Sequence, residues 1–381
     1  MNIVIEERAK TSTNAAKVVK IMKIRAETLF IDTQSYKITE LEETIKNFSE
    51  AITSLSEGFN IPVWTKRLAL TPMDPTQDTV RIVDDLLQKI KGRIDFLAVP
   101  MKITKKDDID IVVKVLAKDG SVYVSVTDKF TDLSLFERLL KEVYKNLGSV
   151  ATTRVSLSLR HFLLTPYFPA ATALDGEIGV AGALLYVSDL IKGENLRENI
   201  DVYILNAYNS AIGLQNELAK ALKIKNYGLD LSYSPWMEES LTTLIEYLSG
   251  TQIGQTGTLD AISFLNKSLQ KVINEHALNV TGYNEVMLPY GEDSGLMALG
   301  KQGLLDLYDF ISFASVCVAG VDMIVLPKTE KIGTILRDIY AVLDAKKRTS
   351  GMRVVLTDAN PLEIIELEKF GKVPVIKIKK S

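Results

Sequence analysis

The chain has 381 residues and a formal net charge of −3, with 45 Lys and Arg against 48 Asp and Glu. This balance argues against a nucleic-acid-binding protein, which depends on a strong basic field. The single cysteine, Cys317, excludes an intrachain disulfide and favours a reducing, cytoplasmic compartment. Two histidines are too few for a histidine-rich zinc site, whereas a divalent cation held by carboxylates stays open as a cofactor.

Residues 1–20 are mixed charged and polar, and we interpret them as an N-terminal extension without a signal peptide. No segment approaches the roughly 18 apolar residues of a membrane-spanning helix, so we expect no membrane association. Residues 21–381 contain no linker with a shift in composition, which predicts one domain. Richness in Ile, Lys and Glu is typical of a thermophilic source.

Short β-rich runs alternate with amphipathic helical runs along the first half of the chain. In chain order the pattern predicts strand 22–32, helix 38–57, strand 61–70, helix 78–91, strand 94–99, helix 107–118, strand 122–126, helix 133–147 and strand 153–159. Residues 163–182 hold two prolines and three glycines, which predicts a long functional or connecting loop.

The second half of the chain continues the alternation less regularly. Residues 183–190 fit a strand and a helix equally well. The pattern then predicts helix 201–222, strand 227–232, helix 241–248, helix 258–273, strand 285–288, helix 304–318, strand 322–326, helix 332–346 and strands 353–356 and 373–378. About ten strands, mostly separated by helices, are typical of parallel βαβ units, and they predict a single large α/β barrel.

A glycine-rich segment, residues 254–258, opens one of the predicted helices. Free backbone N–H groups at a helix start can hold an anion, and the hydroxyls of Thr256 and Thr258 add donors while Gly257 allows close approach. We therefore predict an anion-binding segment at Thr256, Gly257 and Thr258. The alternative is an ordinary helix start at which Thr258 caps the helix.

Acidic side chains also follow predicted strands, where ligands bind in α/β folds. Asp230, Ser232 and Ser234 alternate along one strand and so share a face. Glu292 and Asp293 come soon after another strand. Asp230, Glu292 and Asp293 are our candidate catalytic groups, as acids, bases or cation ligands. In the alternative interpretation Asp293 caps a short helix at 294–299 and Glu292 is solvated.

Other reactive residue types fit structural roles. Lys66 and Arg67 point to opposite faces of a strand, so at most one enters a barrel interior. An inward basic side chain is costly without an anionic partner, so we expect a surface position for both. Cys317 lies in an apolar run and is predicted to be buried and inert. His161 and His276 lack a visible catalytic partner and default to structural roles.

Several segments, in their order and spacing, resemble the uncharacterised DUF711 family, also called UPF0210 or "PFL family protein". The segments are residues 60–67 (NIPVWTKR), 230–235 (DLSYSP), 257–261 (GTLDA), 289–295 (PYGEDSG), 317–327 (CVAGVDMIVLP) and 371–377 (GKVPVIK). The resemblance runs from about Ile24 to the C-terminus and is strongest after Tyr227. It identifies the chain as a divergent, shorter member from an archaeal or thermophilic source.

The resemblance implies a fold related to the ten-stranded α/β barrel of the glycyl radical enzymes. Radical chemistry is not expected, because the chain lacks the Arg-Val-x-Gly-aromatic motif that would carry the radical. The family's polar middle segment is replaced by the apolar residues 160–169. The family's His-Gly-Thr is replaced by Thr256-Gly257-Thr258.

Two function hypotheses follow from the sequence. The first is an enzyme or binding protein for a small anionic metabolite. The second is a non-catalytic scaffold that has lost the ancestral site, with the apolar run 162–168 as an interface patch. Under both hypotheses we expect a homo-oligomer, a dimer or higher.

Overall fold

The computed structural model describes residues 22–33, 38–129, 131–174, 176, 178–346 and 349–378. The predicted N-terminal extension, residues 1–20, lies outside the described residues. Within the described ranges the chain has an α/β fold with fourteen strands and eleven α-helices. None of the helices in these ranges is both long enough and apolar enough to cross a lipid bilayer.

Most strands lie close to where the sequence pattern predicts them. They are β1 (Lys23–Ile31), β2 (Lys66–Leu70), β3 (Phe96–Ala98), β4 (Val122–Thr127), β5 (Val155–Leu159), β6 (Gly179–Leu185), β7 (Lys225–Asp230), β8 (Met287–Pro289), β9 (Ala319–Asp322), β10 (Ile324–Pro327), β11 (Ser350–Met352), β12 (Val354–Thr357), β13 (Ile364–Glu366) and β14 (Lys372–Pro374).

The helices likewise follow the predicted amphipathic runs. They are α1 (Ile38–Phe59), α2 (Gln77–Ile90), α3 (Asp108–Leu116), α4 (Leu133–Thr152), α5 (Val187–Ile191), α6 (Leu196–Leu222), α7 (Leu241–Ser249), α8 (Thr258–Glu275), α9 (Ser294–Lys301), α10 (Leu307–Phe313) and α11 (Ile332–Lys346). In α2, for example, Thr76 caps the start and the buried face carries Val80, Val83, Leu86 and Ile90, spaced three or four apart.

Eight strands form one mixed sheet in the order β11-β5-β4-β3-β2-β1-β6-β7. Strands β1 to β5 are parallel to one another, and β6 and β7 are parallel to each other. Strand β6 runs antiparallel to β1, and β11 runs antiparallel to β5. The sheet curls into a half-barrel. It is mixed rather than wholly parallel because no helix intervenes between β5 and β6, and a parallel connection needs a crossover.

Three segments differ from the sequence prediction for local reasons. Residues 183–190, which fit both periods, contain the end of β6 and most of α5. The predicted strand 322–326 is split between β9 and β10 because Met323 has a left-handed backbone, with φ of 53°. The predicted helix 304–318 is shorter, since Asp306 caps its start and the helix ends at Phe313.

The predicted long loop before β6 packs on the inner face of the half-barrel. Leu29 and Leu68 belong to the main core together with the helices, whereas Phe30 and Ala69 belong to a second cluster with Leu164 and Ala171 of the loop. Successive strand residues face opposite sides, so the loop lies on the face away from the helices. Residues 164–167 are buried whereas Phe162, Leu163 and Phe168 are half-buried, so most of the run 162–168 packs within the chain and its role as an interface patch stays a prediction.

Candidate functional site

A cavity of about 300 Å³ lies where strands β1 to β5 begin and where β8, β9 and β11 end. Its aromatic lining consists of Trp64, Phe96, Tyr123, Tyr167, Phe168, Trp236, Tyr283 and Phe370. Its charged lining consists of Arg25, Arg67, Glu292, Asp322, Arg353 and Lys369. Both tryptophans of the chain line this cavity, and Trp64, which is 42% exposed, lies at its mouth.

The strand sequences explain why large and polar side chains collect at this end. Each strand presents every second residue to the inner face. In β2 and β3 the first inward residue is large, Arg67 or Phe96, and the next is small, Ala69 or Ala98. The small residues make room for the loop that ends before β6, and the large residues surround the open space beyond that loop.

An ion network forms one wall of the cavity. Arg25 donates from Nη2 to Glu292 Oε2 at 2.5 Å and from Nη1 to the carbonyl of Pro235. Arg353 donates from Nη2 to Glu292 Oε1 at 2.7 Å and from Nε to Asp322 Oδ1 at 2.7 Å. Glu292 is thus held between two guanidinium groups, and all three of these side chains are less than one-tenth exposed.

The charges in this network keep Glu292 deprotonated and Arg353 protonated. Burial alone would favour the neutral form of Glu292, yet Arg353 and Arg25 outweigh it and hold the pKa of Glu292 at about 2. Burial opposes the charge on Arg353, but Asp322 and Glu292 raise its pKa above the ordinary value. A carboxylate with so low a pKa does not act as a general base near neutral pH, so Glu292 positions the two arginines.

Arg67 is a buried cation of this cavity and has no carboxylate partner among the described residues. Its side chain is buried, and no carboxylate of the described residues lies within 4 Å of its guanidinium group. It donates to Thr65 Oγ1 at 2.9 Å and to the carbonyl of Pro166 at 3.3 Å. Its guanidinium carbon lies 5.1 Å from the ring centre of Phe168 and 5.6 Å from that of Phe96. The expectation of a surface position for Arg67 is therefore wrong.

Lys369 brings a second uncompensated positive charge to the cavity. Its Nζ lies 4.3 Å from the ring centre of Phe96 and donates a hydrogen bond to Tyr123 Oη. Burial, with the nearby Arg67 charge next, lowers the pKa of Lys369 to about 8. Burial and the Arg25 charge lower the pKa of Arg67 to about 10. For both side chains burial and neighbouring cations outweigh the nearby Glu292 charge, which acts in the raising direction.

Asp230, a sequence-predicted catalytic residue, lies behind the cavity and is not part of its lining. Its carboxylate is fully buried and accepts hydrogen bonds from Ser232 Oγ at 2.5 Å and from the backbone N–H of Tyr283 at 2.8 Å. Gly282 has φ of 83°, and a Cβ there would lie 2.1 Å from Asp230 Oδ2, so the tight turn around this carboxylate needs a glycine. Asp230 thus organises the segment that carries Tyr283 into the cavity.

Asp293, the second predicted catalytic acid, caps two helices at once. Its carboxylate accepts from Gly295 N and Leu296 N at the start of α9, as the alternative interpretation predicts. It also accepts from Leu241 N at 2.8 Å at the start of α7. Glu292, by contrast, is buried, so its predicted solvation in that interpretation is wrong. Of the predicted acidic group, only Glu292 faces the cavity.

Replacing Asp293 by Ala is expected to lower the free energy of unfolding by about 2–4 kcal/mol, because two helix starts lose a charged acceptor. Urea unfolding followed by far-UV circular dichroism measures this change. Asp293→Asn keeps one carbonyl oxygen as an acceptor and should cost less. A midpoint for Asp293→Ala equal to that of the unmodified chain would contradict the double-cap role.

The predicted anion-binding segment, Thr256 to Thr258, is not part of the cavity lining. Gly257 occupies the cap position of α8 with φ of 100°, and no side chain caps the helix there. The hydroxyl of Thr258 accepts from Gly254 N at 3.0 Å, and Thr251 Oγ1 donates to the carbonyl of Thr256 at 2.9 Å. This segment is therefore separate from the cavity that Glu292 lines, and the Thr258 hydroxyl is engaged in the local turn.

The sequence does contain a signal for the cavity residues. Arg25, Arg67 and Arg353 each lie within or beside a short, otherwise buried strand. A basic side chain in such a position must meet a buried anion or a ligand. Cys317, His161 and His276 do not line the cavity, and Cys317 is buried as predicted. Within the described ranges no three His, Cys, Asp or Glu side chains are placed to share a metal ion.

Comparison with known proteins agrees with the sequence resemblance. A family model described as "Uncharacterised ACR (DUF711)" matches residues 18–359. A UPF0210 protein of Sulfurisphaera tokodaii is 24% identical over 92% of this chain and 86% of its own length. A UPF0210 protein of Methanocaldococcus jannaschii is 24% identical over 92% of this chain and 88% of its own length. A UPF0210 protein of Thermoanaerobacter is 23% identical over 85% of this chain and 81% of its own length.

Proposed function

The chain belongs to the DUF711 family, and from its cavity we propose that it binds a small organic anion there, as an enzyme or a binding protein. The single observation that carries this proposal is the buried guanidinium group of Arg67, which has no carboxylate partner among the described residues. A buried cation is costly unless an opposite charge compensates it. A bound anion would supply that charge.

The balance of charge around the cavity supports an anionic ligand. Four cationic side chains line it against the two carboxylates of Glu292 and Asp322. Both carboxylates accept hydrogen bonds from Arg353, so their charge is engaged inside the wall. The positive charges of Arg67 and Lys369 are left to attract an anion, and a guanidinium group binds a carboxylate or phosphate through two parallel hydrogen bonds.

The size and the aromatic lining define the rest of the ligand. A volume of about 300 Å³ is at the lower end of small-molecule sites, which suits a metabolite rather than a dinucleotide. Aromatic rings surround the arginines and provide apolar surface for a carbon skeleton. The proposed ligand therefore combines one or two anionic groups with a short organic body.

Titration with small organic anions is expected to change the tryptophan fluorescence, because both tryptophans of the chain line the cavity. The probes are short mono- and dicarboxylates and small phosphate esters, each with a neutral amide or alcohol analogue. For a carboxylate that binds, Arg67→Met should weaken the affinity about 10- to 100-fold, since a hydrogen bond to a charged group contributes roughly 1.5–3 kcal/mol.

Arg154→Met is the matched control, because Arg154 is also partly buried but donates to backbone carbonyls outside the cavity. Its effect on the affinity should be small. If no anion of the panel changes the fluorescence, or if Arg67→Met binds as tightly as the unmodified chain, the proposal fails.

We also propose that the half-barrel continues into one closed barrel of ten strands, β1 to β9 and β11, formed by a single domain of residues 21–381. Parallel bridges from Leu229 to Val280 and from Tyr233 to Val286 support a continuation from β7 towards β8. Strand β8 pairs with β9, and Arg353 N donates to the carbonyl of Val321 beside β11. This ring has the strand number of the PFL-like barrel.

Oligomeric state and compartment complete the proposal. We propose a cytoplasmic homo-oligomer, a dimer or higher, because symmetric association is the common state of such enzymes. Light scattering after gel filtration gives the mass in solution. The scaffold alternative was based on the apolar run 162–168 as an interface patch, and it is weakened because residues 164–167 are buried.

A further inference from the structure

We propose that Lys369 forms an imine with the ketone carbon of a short oxo-carboxylate whose carboxylate is bound by Arg67. This inference rests on the proposed function and names the substrate class of the same cavity, a 2-oxo or 3-oxo acid. It also makes Lys369 a catalytic residue. The argument uses the position of its amine, the groups around that amine and the chemistry that they permit.

The amine of Lys369 is placed as a nucleophile of the cavity. Although the residue as a whole is exposed, its Nζ reaches the lining and lies 4.3 Å from the ring centre of Phe96, 5.1 Å from that of Tyr123 and 5.2 Å from that of Phe370. No carboxylate of the described residues lies within 4 Å of it. An amine among rings and without a carboxylate partner is not held as a structural ion pair.

Arg67 is the neighbour that positions the substrate. The Arg67 guanidinium and the Lys369 amine both lie over the ring of Phe96, at 5.6 Å and 4.3 Å from its centre. The Arg67 charge also acts on the Lys369 amine, so the two cations share one part of the cavity, and we infer that a short acid whose carboxylate pairs with Arg67 presents its carbonyl to Lys369. This arrangement favours oxo acids over longer carboxylates.

Two hydroxyl groups are available for the carbonyl oxygen. Tyr123 Oη accepts a hydrogen bond from Lys369, and burial raises the pKa of Tyr123, so its phenol keeps the proton. Ser156 lines the cavity, is 3% exposed, and its Oγ has no hydrogen-bond partner among the described residues. An unpartnered hydroxyl that faces a cavity indicates a polar ligand atom opposite it.

The reaction step is balanced without an oxidant or a metal. The neutral amine attacks the ketone carbon, a C–N bond forms, and the carbonyl oxygen takes a proton that Tyr123 can relay. The resulting carbinolamine then loses this oxygen as water by taking up a second proton, the one that the ammonium group of Lys369 released to solvent before the attack, and the nitrogen keeps one proton as a positively charged imine. Lysine amines that lie beside another cation in an apolar pocket perform this chemistry because their neutral form is accessible. The lowered pKa of Lys369, about 8, agrees with that requirement.

Borohydride trapping on the intact protein tests the proposal. Pyruvate and acetoacetate are the probes, and lactate and 3-hydroxybutyrate are their carbonyl-free partners. Reduction should add to the protein the mass of the oxo acid less one oxygen atom, and peptide mapping should place the adduct on Lys369. Lys369→Arg keeps the charge and should bind the same acids within a few-fold while losing the adduct entirely.

Lys328→Arg is the matched control, because Lys328 also lies over a tyrosine ring, that of Tyr144, but pairs with Asp358 outside the cavity. It should leave the adduct unchanged. If oxo acids change the tryptophan fluorescence but no adduct forms on Lys369, the imine is excluded while anion binding stands. Adducts spread over several lysines overturn the proposal as well. If neither oxo acids nor hydroxy acids bind, the proposed function fails with it.

Discussion

Replacing Glu292 by Gln is expected to lower the free energy of unfolding by about 3–5 kcal/mol at neutral pH, because two buried arginines then lose the negative charge that lies between them. Glu292 accepts from Arg25 at 2.5 Å and from Arg353 at 2.7 Å, and all three side chains are buried. An amide keeps the shape of the side chain but donates where an acceptor is needed. Urea unfolding at pH 7 measures the difference.

The pH dependence of this effect has a definite sign. The pKa of Glu292 is about 2 in the folded protein, whereas the ordinary pKa of a glutamate side chain, which applies in the unfolded chain, is 4.5. Its stabilisation is therefore fully present above about pH 4.5 and is lost as the pH falls towards 2. The difference in the free energy of unfolding between the unmodified chain and Glu292→Gln should therefore become smaller as the pH falls from about 4.5 towards 2. Glu50→Gln, at an exposed pair with Lys46, should change stability by less than about 0.5 kcal/mol and serves as the control. An equal stability of both variants would contradict the network.

Glu27→Gln is expected to change stability in the opposite direction. Glu27 is fully buried on β1, and neither of its carboxylate oxygens has a hydrogen-bond partner among the described residues. Burial raises its pKa to about 8, with the neighbouring Gln215 of α6 acting in the lowering direction. The folded state thus holds a proton that the unfolded state releases near pH 4.5, so stability falls as the pH rises from about 4.5 to 8.

The neutral amide avoids this loss, and Glu27→Gln should therefore be more stable than the unmodified chain by about 3–5 kcal/mol at pH 8 and similar to it at pH 4.5. Thermal and urea unfolding across this range measure the crossover. Glu285 gives the contrast, since it is a buried glutamate paired with Lys346 at 3.0 Å, and Glu285→Gln should be destabilising at pH 8. A pH-independent difference between Glu27→Gln and the unmodified chain would mean that the Glu27 carboxyl does not titrate in this window.

Local patterns allow most of the fold to be predicted from the sequence. The amphipathic run at 332–346 gives α11 with its observed bounds, and the run at 78–91 gives α2 within one residue at each end. Short strands such as β11 and β13 have three residues each, too few for a period to appear. The antiparallel turn into β6 depends on the packing of a loop, and no local pattern encodes that packing.

The site was less predictable than the fold because it depends on long-range pairs. Glu292 could be identified as a candidate from its place after a strand, but its partner Arg25 lies 267 residues away. Arg67 was expected at the surface because an inward basic residue is costly without an anion, and the direction of its side chain could not be decided from β2 alone. Asp230 and Asp293 were candidates because carboxylates can act as acids or bases, but in the structure both accept hydrogen bonds from backbone N–H groups of distant segments.

The left-handed residue Met323 has a mechanical consequence. Asp322 ends β9, which pairs with β8, and Arg353 follows β11 of the eight-stranded sheet. Directly after each of these residues the chain forms a strand of the separate β10–β12 pair. The ion pair between these two side chains therefore links the two points of the chain that directly precede β10 and β12. Strand β12 also contacts helix α4, where Thr152 Oγ1 accepts a hydrogen bond from Leu356 N at 3.2 Å, so the β10–β12 pair connects this ion pair to the helical layer. An anion that draws Arg353 into the cavity would alter its ion pair with Asp322. Amide hydrogen exchange in β10 and β12 would then report whether the cavity is occupied, although these two strands do not line it.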